Sequence, residues 1–119
     1  ENLANSKDDI LVAYKGAVTT LMAKHTKDRQ QKKDYFKNGV SLIEAFIKQN
    51  PNNLEGHYLR ISVQENAPKF LGYHKDVDLD KQFILTHWRL LKDPSLKRII
   101  KEYVATSKNF TEVEKSTFR

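Results

Sequence analysis

Cysteine is absent from the 119-residue chain, which excludes disulfides, thiolate metal centres and a cysteine nucleophile and leaves the redox compartment open. No apolar run approaches the roughly 20 residues needed to span a bilayer, and no charged-then-apolar leader opens the sequence. HExxH, a glycine-rich phosphate loop and a GxSxG elbow are all missing. The four histidines, His25, His57, His74 and His87, show no short ligand spacing of the zinc type. These absences point away from an enzyme, a metalloprotein and a membrane span.

What remains is a globular composition. The hydrophobic fraction of 39% and charged fraction of 30% lie near ordinary usage, so the chain is expected to fold as one domain despite a mean hydropathy of −0.68. The net charge is +6. Its densest basic stretch runs from Lys24 to Lys37, with six Lys or Arg against Asp28 and Asp34. No aromatic residue interleaves before Tyr35, so a base-stacking platform is not expected there.

Apolar residues recur at helical intervals throughout. Ile10, Ala13, Tyr14, Ala17, Val18, Leu21 and Met22 predict a first helix over Lys7 to Lys24, with Ser6 as its cap and Asp8 and Asp9 in its first turn. After a link at His25 to Asp28, Phe36, Val40, Ile43, Phe46 and Ile47 form the stripe of a second helix. Gly39 inside that stripe predicts close approach of the first helix. Asn50-Pro51 ends the second helix, and Asn52 with Glu55 predicts a capping box for a third reaching Asn66. Leu54, Tyr58 and Ile61, with Leu59, supply its apolar face.

Ala67 to Lys75, APKFLGYHK, is the long irregular connection. Its Phe70, Leu71 and Tyr73 either plug the core or line a groove. Asp76, Asp78 and Asp80 flank a fourth helix carrying Leu79, Phe83, Ile84, His87, Trp88 and Leu91. Their spacing is that of a calcium loop, but Lys81 and His87 stand where that loop needs glycine and glutamate, so they read as helix-capping acids. Asp93-Pro94 starts a fifth helix with Leu96, Ile99, Ile100, Tyr103 and Val104 on one face, and Thr111 with Glu114 caps a short sixth. The expected fold is all-α: an antiparallel bundle of five or six helices forming one domain over residues 1–119, with residues 1–6 and 108–119 as flexible ends.

Two resemblances add to this. Phe46 to Glu55, FIKQNPNNLE, resembles the junction between tetratricopeptide-type (TPR) repeats, although no 34-residue period recurs and Phe46 stands where that family has alanine. Asn50 to Ile84 is similar to a family of small exported helical proteins of Gram-negative bacteria, whose activity is unassigned. That likeness implies a helical bundle outside the cytoplasm, in the periplasm or beyond. It also implies a signal peptide ahead of Glu1, where an engineered start is the other explanation. The residues it directs attention to are Glu55, Arg60, Gln64, Asn66, Pro68, Leu71, Gly72 and Tyr73.

The expected function is a non-catalytic protein-interaction or scaffold module for a protein partner, with no cofactor, no metal and no transmembrane segment. Its candidate binding residues are Arg60, Gln64, Asn66, Phe70 and Tyr73. Phe70 and Tyr73 would anchor an apolar group, and Arg60 and Gln64 would orient it. The plainer reading of Arg60 is an internal brace tying helix three to the loop. The alternative function is a basic nucleic-acid or anionic-surface binder using the lysines of helix two. A hydrolase whose histidines and aspartates meet only in space is the third class.

Overall fold

The computed structural model describes residues 3–119, with side chains from residue 10 onward. Among the described residues there are six α-helices and no strand: α1 (Leu3–Met22), α2 (Arg29–Gln49), α3 (Leu54–Asn66), α4 (Val77–His87), α5 (Pro94–Thr106) and α6 (Glu112–Ser116). Short 3₁₀ turns at Ala23–His25, Lys69–Leu71 and Trp88–Leu90 join several of them. The all-α bundle that the periodicity predicts is the fold.

α1 and α2 form an antiparallel hairpin held by small residues. A Cβ built on Gly16 would lie 2.6 Å from the Gly39 carbonyl oxygen and 2.9 Å from Leu42 Cβ, and one on Gly39 would run into the Gly16 carbonyl and Thr20. The expected close approach at Gly39 is therefore present, and it involves a glycine on each helix. This contact also explains two departures from expectation. α1 buries its small residues Ala13, Gly16 and Thr20, so Val18, Leu21 and Met22 turn outward and are 58%, 49% and 44% exposed. α1 moreover begins at Leu3 rather than Lys7, which places Ser6 inside the helix. The side chains of Ser6, Asp8 and Asp9 lie outside the described residues.

The α2 to α3 corner corrects the sequence by one residue. Asn50 N–H donates back to Phe46 and Ile47, Asn53 N–H donates to Asn50, and it is Asn53, not Asn52, whose side chain accepts from Gly56 N–H at 2.9 Å. The extra residue is used to complete the turn. Glu55 consequently sits too early for a capping box and instead accepts a hydrogen bond from the Tyr14 hydroxyl, pinning α3 to α1.

α3 is the central helix and is buried nearly all round. Leu59 and Val63 join Ala13, Phe36, Ile43, Phe46 and Ile47 in one core, while Ile61 faces a second core of Ile84, Trp88, Leu96, Ile100, Val104, Phe110 and Phe118. Each fully buried isoleucine contributes about 1.5 to 3 kcal/mol relative to exposure. In the second core Asp93 caps α5 through Ser95 and Leu96 N–H, and Thr111 with Glu114 forms the expected capping box. Leu79 and Ile99, expected to be apolar-face residues, are 53% and 41% exposed. Asp80, expected to be a capping acid, is instead fully buried on the face of α4 that also carries Ile84.

Candidate functional site

Four polar side chains meet where the two cores adjoin. His57, Arg60 and Gln64 share a face of α3, being three and four residues apart, and that face meets Asp80 in the first turn of α4. Asp80 is fully buried and accepts from Arg60 Nη2 at 2.8 Å, Arg60 Nε at 2.9 Å and Gln64 Nε2 at 2.9 Å. His57 Nδ1 lies 2.8 Å from the same carboxylate, and its Nε2 lies 2.7 Å from the Pro51 carbonyl, so neither ring nitrogen is open. Phe83 stacks on the ring at 4.2 Å.

The seam extends to α2 and the loop. Arg60 Nη1 donates to Glu44 at 2.9 Å and stands 3.5 Å from Asp76, and the Tyr73 hydroxyl donates to Glu44 at 2.6 Å. Gln64 Oε1 accepts from Asp76 N–H at 2.9 Å, fixing the start of α4. Burial alone would loosen the Arg60 proton, but hydrogen bonds to Asp80 and the charges of Asp80, Glu44 and Asp76 outweigh it and hold the guanidinium above its usual range. Burial, then the bond to Glu44, keeps the Tyr73 phenol well above its ordinary value, so it remains a donor. No buried side-chain polar atom among the described residues lacks a partner.

A second closed cluster holds the C-terminal end of α3. Glu65 accepts from the Tyr103 hydroxyl at 2.6 Å, Ser107 Oγ at 2.7 Å, Lys108 N–H at 2.9 Å and Asn109 Nδ2 at 3.2 Å. Burial would raise its carboxyl, but these donors, led by Tyr103, bring it below the usual glutamate range.

Of the five candidate binding residues, Arg60 and Gln64 come together around Asp80, and Tyr73 reaches them through Glu44. Asn66 is exposed at the end of α3, where it donates to the Ser62 carbonyl. Phe70 lies apart, 46% exposed beneath the Arg29 guanidinium at 4.3 Å. Sequence reasoning missed His57, Glu44 and Asp80 as members of this cluster. The spacing of His57, Arg60 and Gln64 was a usable signal; nothing local marked Glu44.

On the other side of the loop lies an open groove of about 360 Å³. Leu71, Gly72 and Tyr73 form one wall, and Phe36, Val40 and Ser41 of α2 form the other, with Lys33 and Lys37 at the rim. Gly72 has φ +67°, which glycine adopts at low cost, and a Cβ there would meet no atom within 4 Å. Arg29, Lys33 and Lys37 are exposed and pair with no acid among the described residues.

Among the described residues no group of three or more His, Asp or Glu is arranged to hold a metal, and no helix is long and apolar enough to cross a membrane. Comparison with protein-family models, with curated proteins and with solved structures gives no match.

Proposed function

We propose that the protein is a non-catalytic interaction module that holds a protein partner in the groove between α2 and the 67–75 loop. The observation that carries this reading is the groove itself, an apolar channel left open beside Lys33 and Lys37, which pair with no acid among the described residues. The buried polar cluster supports it by contrast. His57, Asp80, Arg60 and Gln64 are buried and bonded to one another, with no face turned to a substrate. On this reading Tyr73 contributes its ring to the groove while its hydroxyl holds the fold, and Arg60 is a brace. The proline-asparagine corner after α2 gives the hairpins a TPR-like connection, and the same proposal places the protein outside the cytoplasm.

The second reading, a nucleic-acid or anionic-surface binder, draws on the same basic stretch of α2. Site-specific photocrosslinking in native cells separates the two. With p-benzoylphenylalanine in place of Ser41 at the groove, one specific protein should be captured, and it should be lost when the label replaces Val113, which is 81% exposed elsewhere. Identical products from both positions, or nucleic acid alone from Ser41, would overturn the proposal.

A further inference from the structure

Resting on that reading, we infer that the occupant of the groove is an extended acidic segment of a partner protein, with carboxylates alternating with aliphatic side chains. The cations and the apolar wall set this chemistry together. Lys33 and Lys37 line the groove four residues apart, about 6 Å along one face of α2, and Arg29, a turn earlier and lying over Phe70, continues the same face beyond the groove. An extended chain returns a side chain to the same side every two residues, about 6.6 Å. Alternate carboxylates therefore match the cationic row almost step for step, and the intervening side chains point to the opposite wall. That wall is apolar: Leu71 and the Tyr73 ring, facing Val40 and Phe36.

Among the described residues no acid pairs with the two lysines of the groove. Of the acids near it in sequence, Asp34 accepts from Gln30 at 3.1 Å, Asp28 caps α2 by accepting from Gln31 N–H, and Glu44 is bonded to Arg60 and Tyr73. None neutralises Lys33 or Lys37. An acidic ligand meets no carboxylate at the groove wall, while a basic one would face two lysines.

Aromatic geometry selects a peptide over nucleic acid. Base stacking requires an open ring face. Phe36 is buried and packed edge-on against Tyr73 at 5.5 Å and 78°, and the more exposed Phe70 is covered on one face by Arg29. Of the two rings that line the groove, Phe36 is buried and Tyr73 is packed against it, so the groove offers single-ring and aliphatic contact with point charges rather than a row of open ring faces.

The test is an amide-resonance NMR titration of the whole labelled chain with three probes: a short blocked peptide alternating glutamate and leucine, its glutamine counterpart, and oligothymidylate. The glutamate peptide is expected to shift Lys37, Val40, Leu71, Gly72 and Tyr73 saturably and to bind about tenfold tighter than the glutamine peptide. Lys33→Glu with Lys37→Glu, both exposed positions, should weaken it about tenfold or more with the spectrum otherwise unchanged. Equal binding of the two peptides would overturn the acidic partner and leave the groove as a docking site. Tighter binding of oligothymidylate at these residues would overturn it in favour of a polyanion. No shift in the groove with either peptide would overturn both this inference and the groove as the binding surface.

Discussion

The polar seam and the groove lie on either side of Tyr73, both draw on α2, and they use charge in opposite ways. In the seam Arg60 and Asp80 are buried and joined by hydrogen bonds, with the partly exposed Glu44 and Asp76 adding charge around the guanidinium, so removing either Arg60 or Asp80 leaves a buried charge without its main partner. At the groove Lys33 and Lys37 stand in solvent and pair with no acid among the described residues. Charge inside a closed network holds a fold together; charge left unopposed beside an apolar channel contributes little to stability and is available to a partner. The same residue types thus have different work according to what surrounds them.

The strongest break in this contrast is Asp80→Ala. It should lower stability by about 3 to 5 kcal/mol in urea unfolding, because Arg60 is then buried without its main partner. Asp80→Leu combined with Arg60→Leu should lose clearly less than the sum of the two single changes, since no unpaired charge remains at the pair.

Gly39→Ala acts on the helix the two regions share. It should cost about 1 to 3 kcal/mol by overpacking against the Gly16 carbonyl and Thr20, and it should also weaken peptide binding, because α2 carries both Glu44 and the cationic row. An unchanged melting temperature would mean that α1 can shift without consequence.

Glu65 extends the comparison to a second closed cluster. Glu65→Gln should cost about 1 to 2 kcal/mol at neutral pH by weakening charge-assisted hydrogen bonds. The wild-type carboxyl is held below its ordinary range in the folded protein, so its contribution is fully present above the unfolded value of about 4.3 and is lost as the pH falls through the folded value. The difference between wild type and variant, followed by thermal melting, should therefore shrink on acidification below that range. A difference independent of pH would show that the carboxylate charge is not what holds the cluster.

How much of this was legible in sequence follows from the range of the forces involved. Caps and breaks depend on neighbours a few residues away, so Asp93-Pro94, Thr111 with Glu114 and the stop at Asn50-Pro51 could be read directly. Gly39 announced the tight α1 crossing because a glycine within an apolar stripe has few other uses. The face that α1 buries could not be read: both its small and its large residues recur at helical spacing, and only the approach of α2 selects Ala13, Gly16 and Thr20. The position of Asp80 was similarly hidden. Its partners are 16 to 23 residues away on α3, and an aspartate near a helix start has a sufficient local explanation as a capping acid. The groove was legible only as an excess of apolar residues in the 67–75 loop, whose facing wall on α2 is a matter of tertiary packing.

Urea unfolding of Arg60→Ala beside the double substitution Lys33→Ala, Lys37→Ala tests the division most directly. Arg60→Ala should lose about 3 to 5 kcal/mol, whereas the lysine pair should stay within about 0.5 kcal/mol of wild type. A comparable loss in the lysine pair, or an unaltered midpoint for Arg60→Ala, would contradict the assignment of one set of charges to the fold and the other to a partner.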